Sequence, residues 1–377
     1  MTISVKEVQK KQELKEFLTF PMRLYRDCPN YVPPLLFDEF DTFNPKKNPA
    51  YESAETRLFL ARRDGQTVGR IACILSHVAN EKYGTRNLRF GWFDAIDDQE
   101  VVNRLFQAAE AWGKEKGMTT ITGPQGFTDM DSEGMLIYGF DELPTIAYYY
   151  SLPYLPELTE NYGFEKEVDY HEFQCHVPDN LDSIPPKLFS LSERIAQRGN
   201  YRLLRFPSKK ALKKRAHELF DIIDEAFDEI YGAVPLTRKQ VNYYVKKYFG
   251  FVDKDLIKAV ISENNEMIGF IITMPSLSRA MQKARGRLFP FGWFHLLRGL
   301  KSREILDFYL AGVKKSYQGK GVDLLMGLDI AKTAVLKGFK YSESNVELED
   351  NTKVQAMWKF FNPQLHKKRR IFIKKIH

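Results

Sequence analysis

The chain has 377 residues, enough for two domains of ordinary size. Hydrophobic residues make up 44% and aromatic residues 14%, which excludes a disordered polar chain and supplies material for large cores. The net charge of +7 is a modest excess that suits an anionic ligand such as a nucleotide or CoA, an anionic membrane surface or weak nucleic-acid contact.

The three cysteines, Cys28, Cys73 and Cys175, lie far apart, with no CxxC spacing and no Cys/His cluster. They read as reduced thiols, and no metal is expected. Residues 1–17 are punctuated by Lys and Glu and hold no apolar run of signal-peptide length. No stretch reaches the roughly 20 apolar residues of a membrane-spanning helix. Together these features predict a cytoplasmic location.

Residues 3–8 predict a strand and 12–27 a helix, with Leu14, Phe17, Leu18, Met22 and Tyr25 at helical spacing. A Pro- and Asn-rich loop follows over 28–51. Strands over 56–62 and 67–76 flank Asp64-Gly65, a strong hairpin signal, and 87–96 adds a third strand. Asp97-Asp98 offers an N-cap to an amphipathic helix over 101–116, and Gly117 ends it. Residues 119–122 are strand-like and stop at Gly123-Pro124. A short helix over 157–162 stops at Gly163, and 167–177 reads as a strand. A proline-bearing linker covers 178–186.

The second half repeats this order. Helices are predicted over 187–198, 210–230 and 238–249, after and around a short strand at 202–206. Strands over 256–262 and 267–274 flank a turn. A strand over 305–313 is followed by a helix over 322–337 that Gly338 ends, a strand over 340–346, a helix over 353–361 and a final strand over 369–375. A shared order of elements predicts tandem α/β domains of mixed-sheet type, 1–177 and 200–377, with a linker and helix over 178–199.

The segment Val313-Lys314-Lys315-Ser316-Tyr317-Gln318-Gly319-Lys320-Gly321-Val322 joins an apolar strand to an amphipathic helix. Gly319 and Gly321 let the backbone turn tightly and approach a ligand. The unpaired amides at the helix start suit a pyrophosphate, and Lys320, with Lys314 and Lys315, adds positive charge. The segment is neither a P-loop nor a dinucleotide-binding G-x-G-x-x-G.

It resembles the acyl-CoA-binding segment of the GNAT acyltransferases, which show [Arg/Gln]-x-x-Gly-x-[Gly/Ala] between their fourth strand and third helix. Gln318, Gly321 and Asp323 fill the three fixed places, and Asp323 departs from the family's small residue. Downstream, Asn345 to Asn351 precede a helix ending at Trp358, where many members carry a Tyr as general acid; an indole does not donate a proton as a phenol does. The resemblance implies two tandem GNAT-like domains. In the first, Asp94-Ala95-Ile96-Asp97-Asp98 stands where a phosphate loop would be, so that copy is expected to be degenerate and to bind no CoA. Tyr162-Gly163-Phe164 resembles the family's helix ending.

The same resemblance implies acyl transfer from a CoA thioester, acetyl or longer, to an amine. Gln318 to Asp323 would hold the pyrophosphate, with Asn351 beside it. A backbone amide at Ala311, Gly312 or Val313 would meet the thioester oxygen. Candidates for the base are Asp307 and Tyr309, which alternate on one face of a strand, and Glu347, with Glu349 nearby. Two other readings stand beside this one: a CoA-binding or regulatory protein that has lost catalysis, and a transferase that takes its acyl group from aminoacyl-tRNA.

Three further segments are conspicuous. Asp129 to Gly134 mimics the start of a calcium loop but has Phe140 at the twelfth place, so a solvated turn is expected. Residues 289–297 are strongly apolar and flanked by Arg. Such a segment can enter an anionic membrane interface or line an acyl groove, but packing between domains is the favoured expectation. His366-Lys367-Lys368-Arg369-Arg370 reads as an edge strand protected by charge, or as a contact for RNA or membrane.

Overall fold

The structure is a computed structural model and describes residues 2–358 and 361–376, the side chains of 353, 356 and 357 excepted. In chain order the first half runs β1 (Ile3–Glu7), α1 (Lys11–Leu24), α2 (Leu36–Thr42), β2 (Ala54–Arg63), β3 (Gln66–Ser76), α3 (His77–Tyr83), β4 (Asn87–Ala95), α4 (Gln99–Glu115), β5 (Thr120–Gly123), β6 (Met135–Tyr138), α5 (Tyr154–Asn161) and β7 (Glu165–His176). The second half continues with α6 (Pro186–Gly199), β8 (Arg202–Leu204), α7 (Lys209–Lys214), α8 (Ala216–Ala226), α9 (Arg238–Tyr248), β9 (Ile257–Ile261), β10 (Met267–Pro275), α10 (Ser278–Ala284) and α11 (Gly292–Gly299). It closes with β11 (Ile305–Val313), α12 (Val322–Lys337), β12 (Tyr341–Glu343), β13 (Glu347–Leu348), α13 (Thr352–Trp358) and β14 (Gln364–Lys375).

Two compact units result. Unit 1 comprises Met1–His171, Leu277–Leu296 and His366–His377, and unit 2 comprises Glu172–Ser276 and Leu297–Leu365. These units do not follow the chain linearly, as a division into 1–177 and 200–377 would.

In unit 1 the strand order is β1-β2-β3-β4-β5-β14, then residues 165–171 of β7. Only β4 and β5 run parallel among the registered pairs of this unit. The β2–β3 hairpin turns on Asp64 and Gly65, both with positive φ, as its Asp-Gly sequence requires. Helix α4 lays Val101, Leu105, Phe106 and Trp112 on one sheet face against Ile71, Phe90 and Ile121. Each such burial is worth about 1.5–3 kcal/mol. On the other face α1 contributes Phe17 and Leu18 to a cluster with Phe43, Trp92 and Phe127.

The predicted edge strand at the C-terminus is internal instead. β14 starts at Gln364, pairs with β5 and β6, and buries Lys367 and Arg369. Arg369 donates to the carbonyl of Tyr149 at 2.7 Å and lies over the Tyr148 ring. Arg370 forms a fork with Asp169 at 2.8 and 3.0 Å. Lys367, Arg369 and Arg370 are therefore committed within the fold rather than held out as a basic surface.

In unit 2 the order is residues 172–176 of β7, then β12-β11-β10-β9-β8, with β11 and β12 parallel. Helix α12 buries Val322, Leu325 and Met326 against Val260, Ile268 and Ile271. The predicted helix over 210–230 is two helices separated at Arg215, and 28–51 contains the short α2. Of the predicted helix over 353–361, residues 359 and 360 lie outside the described residues. The predicted strand over 340–346 shortens to β12, whose pairing with β11 ends at Asp307. That early end opens the site.

Candidate functional site

Strand β11 carries the site from one end to the other. Its ladder with β10 slips between Ile272 and Thr273, so that Tyr309 is an extra residue. Beyond the slip, the Lys314 amide bonds the carbonyl of Ile268 at 3.0 Å. Alternation in an antiparallel ladder then turns the amides of Leu310 and Gly312 toward β10 and those of Ala311 and Val313 toward the edge that β12 has left. Ala311 is exposed and Gly312 buried, where a Cβ would meet Ile222 and Phe270 at 3.1 Å. The strand thus offers Ala311 and Val313 amides along an open edge, with Gly312 as support.

The phosphate-loop candidate follows. A single 3-10 turn spans Lys315–Tyr317, and Gln318 folds back to donate to the Val313 carbonyl at 3.2 Å. Gly319 has φ +71° and open space where a Cβ would be. Gly321 is the N-cap of α12 with φ +83° and has no side chain to close the helix start. A Cβ there would lie 2.5 Å from Ile195 of α6. Val322 is buried and anchors the first turn, while Asp323 in that turn is half-buried.

The lysines are arranged differently from the sequence expectation. Lys314 pairs with Glu266, and Lys315 reaches Asp228 and Glu229 at 3.3 and 3.2 Å. The Lys315 amide itself donates to the Glu225 carboxylate at 2.6 Å. These acids hold both lysine pKa values above the ordinary range. Lys320 lies over the Tyr317 ring at 5.2 Å. No local spacing announces these acids, because Glu225 and Lys315 are 90 positions apart. Asn351 caps α13, its side chain accepting from the Val354 amide at 3.3 Å.

The three catalytic candidates lie on adjoining segments. Asp307 is fully buried and accepts from the Tyr309 hydroxyl at 3.2 Å. Asn345 donates to the Tyr309 carbonyl at 2.6 Å and so docks the segment leading to Glu347. Glu347 is buried and receives the indole N–H of Trp358 at 2.5 Å. The Trp358 ring packs edge-on against Phe308 of β11 at 4.9 Å. Burial pushes the Glu347 carboxyl up to about 7, and the Trp358 hydrogen bond opposes that rise only in part. Trp358, whose place in the sequence suggested a lost acid, holds the base candidate instead.

Unit 1 has the same elements with a different filling. Its β3–β4 ladder also slips, between Arg70 and Ala72, and Trp92 takes a positive φ. Asp94 is buried in an ion pair with Arg70 at 2.7 Å and accepts from the Tyr25 hydroxyl at 2.6 Å. At the start of α4 the Asp98 carboxylate accepts from the amides of Glu100 and Val101. The helix start that is open in unit 2 is closed here by a carboxylate.

A helix that follows a strand whose neighbour diverges, built twice in one chain and opened by a glycine in unit 2, defines the GNAT fold in tandem form. The tandem GNAT protein from the clavulanic acid biosynthesis pathway has this fold, with a TM-score of 0.58 at 11% identity over 100% of this chain and 99% of that one. The sequence is 31% identical to the bacterial ceramide synthase of Caulobacter vibrioides (strain NA1000 / CB15N) over 325 residues, 84% of this chain and 82% of that protein. The chain belongs to that family of GNAT-fold acyltransferases. It is also 29% identical to Protein YghO of Escherichia coli (strain K12), over 97% of this chain and 94% of that one. No family model matches the sequence.

Proposed function

We propose that unit 2, the C-terminal copy, transfers a fatty acyl group from acyl-CoA to the amino group of a long-chain amino alcohol, and that unit 1, the N-terminal copy, binds no CoA. The observation that carries this reading is the path along β11. One strand leads from the Asp307–Tyr309 pair to the uncapped start of α12. From Asp307 to its end at Val313 the strand spans roughly 20 Å at the usual rise, and the glycine loop carries the chain on to α12. The acceptor class comes from the family: ceramide is the N-acyl amide of a long-chain amino alcohol, and the C. vibrioides relative is named for its synthesis.

The residues fit the pyrophosphate at the glycines, where Gly319 leaves room and Gly321 leaves the helix start uncapped. The fit is crossed at the lysines, since Lys314 and Lys315 already hold carboxylates. Pyrophosphate binding therefore displaces Glu225 from the Lys315 amide, and Lys320 supplies the uncommitted charge. Acyl-CoA brings the activated acyl group; the thioester C–S bond breaks and an amide C–N bond forms. Amides of Ala311 and Val313 on the open edge receive the oxygen of the reacting carbonyl and the pantetheine arm. Glu347 accepts the proton that the amine nitrogen loses, a role its raised pKa suits near neutral pH. Tyr309, held by Asp307, donates to the departing sulfur.

Incubating the full chain with acetyl-, octanoyl- or palmitoyl-CoA and sphinganine tests this. The expected result is thiol release with palmitoyl-CoA and an N-acyl product of matching mass. Thiol release without amide, or no turnover with any acyl length, overturns the assignment.

A further inference from the structure

The apolar segment after α10 was expected to be packed away, and it is exposed. Phe289 is 78% exposed, Phe291 70%, Trp293 46% and Phe294 51%. Pro290 between them is exposed as well. The indole N–H of Trp293 is satisfied by the Pro290 carbonyl at 2.9 Å, so the ring can leave water without stranding a donor. A patch of this kind has a large cost in water and marks a surface that something covers.

Its charge says what covers it. Residues 276–303 contain seven Lys and Arg and no Asp or Glu, so this segment alone accounts for the chain's whole net charge of +7. Lys283, Arg285 and Arg287 are exposed beside the aromatics, and none has an ion pair among the described residues. Within unit 1 a cavity of about 670 Å³ lies at the base of the segment. Arg279, Lys283, Arg285 and His295 line it, with Gln282, Pro29, Asn30 and Leu143, and no carboxylate is in its wall. Gln282 fixes the floor by donating to the carbonyls of Pro29 and Tyr31 at 2.6 and 3.1 Å.

We propose that this face docks on an anionic phospholipid bilayer, with Phe289, Phe291, Trp293 and Phe294 entering the interface and the cationic cavity receiving a headgroup phosphate. Aromatic rings partition to the boundary between headgroups and acyl chains, and adjacent cations are drawn to the anionic surface. A protein partner or a second copy would equally cover the rings, but the unrelieved positive charge makes self-association of this face repulsive. The inference stands apart from the acyl-transfer reading, because it needs neither acyl-CoA nor an amine.

The test is sedimentation of the full chain with phosphatidylcholine vesicles, with and without phosphatidylglycerol, in the absence of substrates. The expected result is binding that depends on phosphatidylglycerol, weakens with salt and shifts tryptophan emission to the blue. The pair Phe289→Ser with Phe291→Ser, and separately Arg285→Glu with Arg287→Glu, are expected to lower binding about tenfold or more. Leu336→Ser, at a side chain 74% exposed on α12, is expected to leave it unchanged. No sedimentation of the wild type with phosphatidylglycerol vesicles at low salt overturns the proposal. So does equal binding by both patch variants, or a dimer in light scattering that the Phe variants dissociate while vesicles capture nothing.

Discussion

At Glu347 chemistry and stability pull in opposite directions. Its carboxyl titrates at about 7 in the folded chain against an ordinary value of 4.5. Between those two values the native state keeps a proton that the unfolded state has lost, so stability falls as pH rises through that window. The loss is on the order of 3 kcal/mol. Glu347→Gln is expected to flatten it, measured as the difference in urea unfolding between pH 5 and pH 8. The same substitution is expected to lower the acyl-transfer rate by about 10²–10⁴ and to remove the limb of the pH–rate profile near neutrality. Trp358→Phe separates positioning from chemistry. It keeps a ring against Phe308 but deletes the hydrogen bond that lowers the Glu347 pKa. The limb is expected to move to higher pH, while the limiting rate above it is largely kept.

The start of α12 is the element on which the acyl-CoA reading turns. Gly321→Ala puts a Cβ at φ +83° and 2.5 Å from Ile195 Cδ1, so either the loop or α6 must shift. The expected result is a KM for acyl-CoA raised tenfold or more, with a lower Tm. Gly319→Ala has a similar φ of +71° but open space around it. It is expected to cost about 1 kcal/mol of backbone strain and a smaller rise in KM. Equal effects of the two substitutions would show that the contact with Ile195 has no part in shaping the loop. This helix was legible in the sequence, down to both ends, because glycines with positive φ punctuate it. Helices α10 and α11 were not: they are seven and eight residues long, too short for a period to stand out, and α11 leaves Trp293, Phe294 and Leu297 exposed instead of burying an apolar face.

For the whole molecule, the return of β14 to unit 1 has a direct consequence. Phe372 and Ile371 are fully buried, and the strand pairs with β5 and β6. Removing residues 366–377 exposes the edge of β5 and strands Asp169 without Arg370. The truncated chain is expected to lose the protection of β4 and β5 amides in hydrogen exchange and to aggregate. A truncated chain with unchanged far-UV circular dichroism and Tm would contradict that view. The elements of each half were readable, but their assortment into units was not. A strand of alternating Lys, Arg and apolar residues reads as an edge until Tyr149, Tyr148 and Asp169 supply the partners.

The sequence by itself determined the order of the main strands and longer helices, the tandem GNAT class and the place of the glycine loop, because hydrophobic period, caps and positive-φ glycines act over a few residues; the short elements α2, α3, β6, α10 and α11 escaped it. It also held the catalytic candidates on β11 and after β12, since i, i+2 spacing puts Asp307 and Tyr309 on one side. Only the tertiary structure decided which charges are free. Lys314, Lys315, Arg369 and Arg370 are committed to acids or carbonyls distant in sequence, Glu347 is made a weak acid by burial, and the aromatic segment at 289–294 is left in water. Charge state and exposure depend on groups brought together across the fold, which no local pattern encodes.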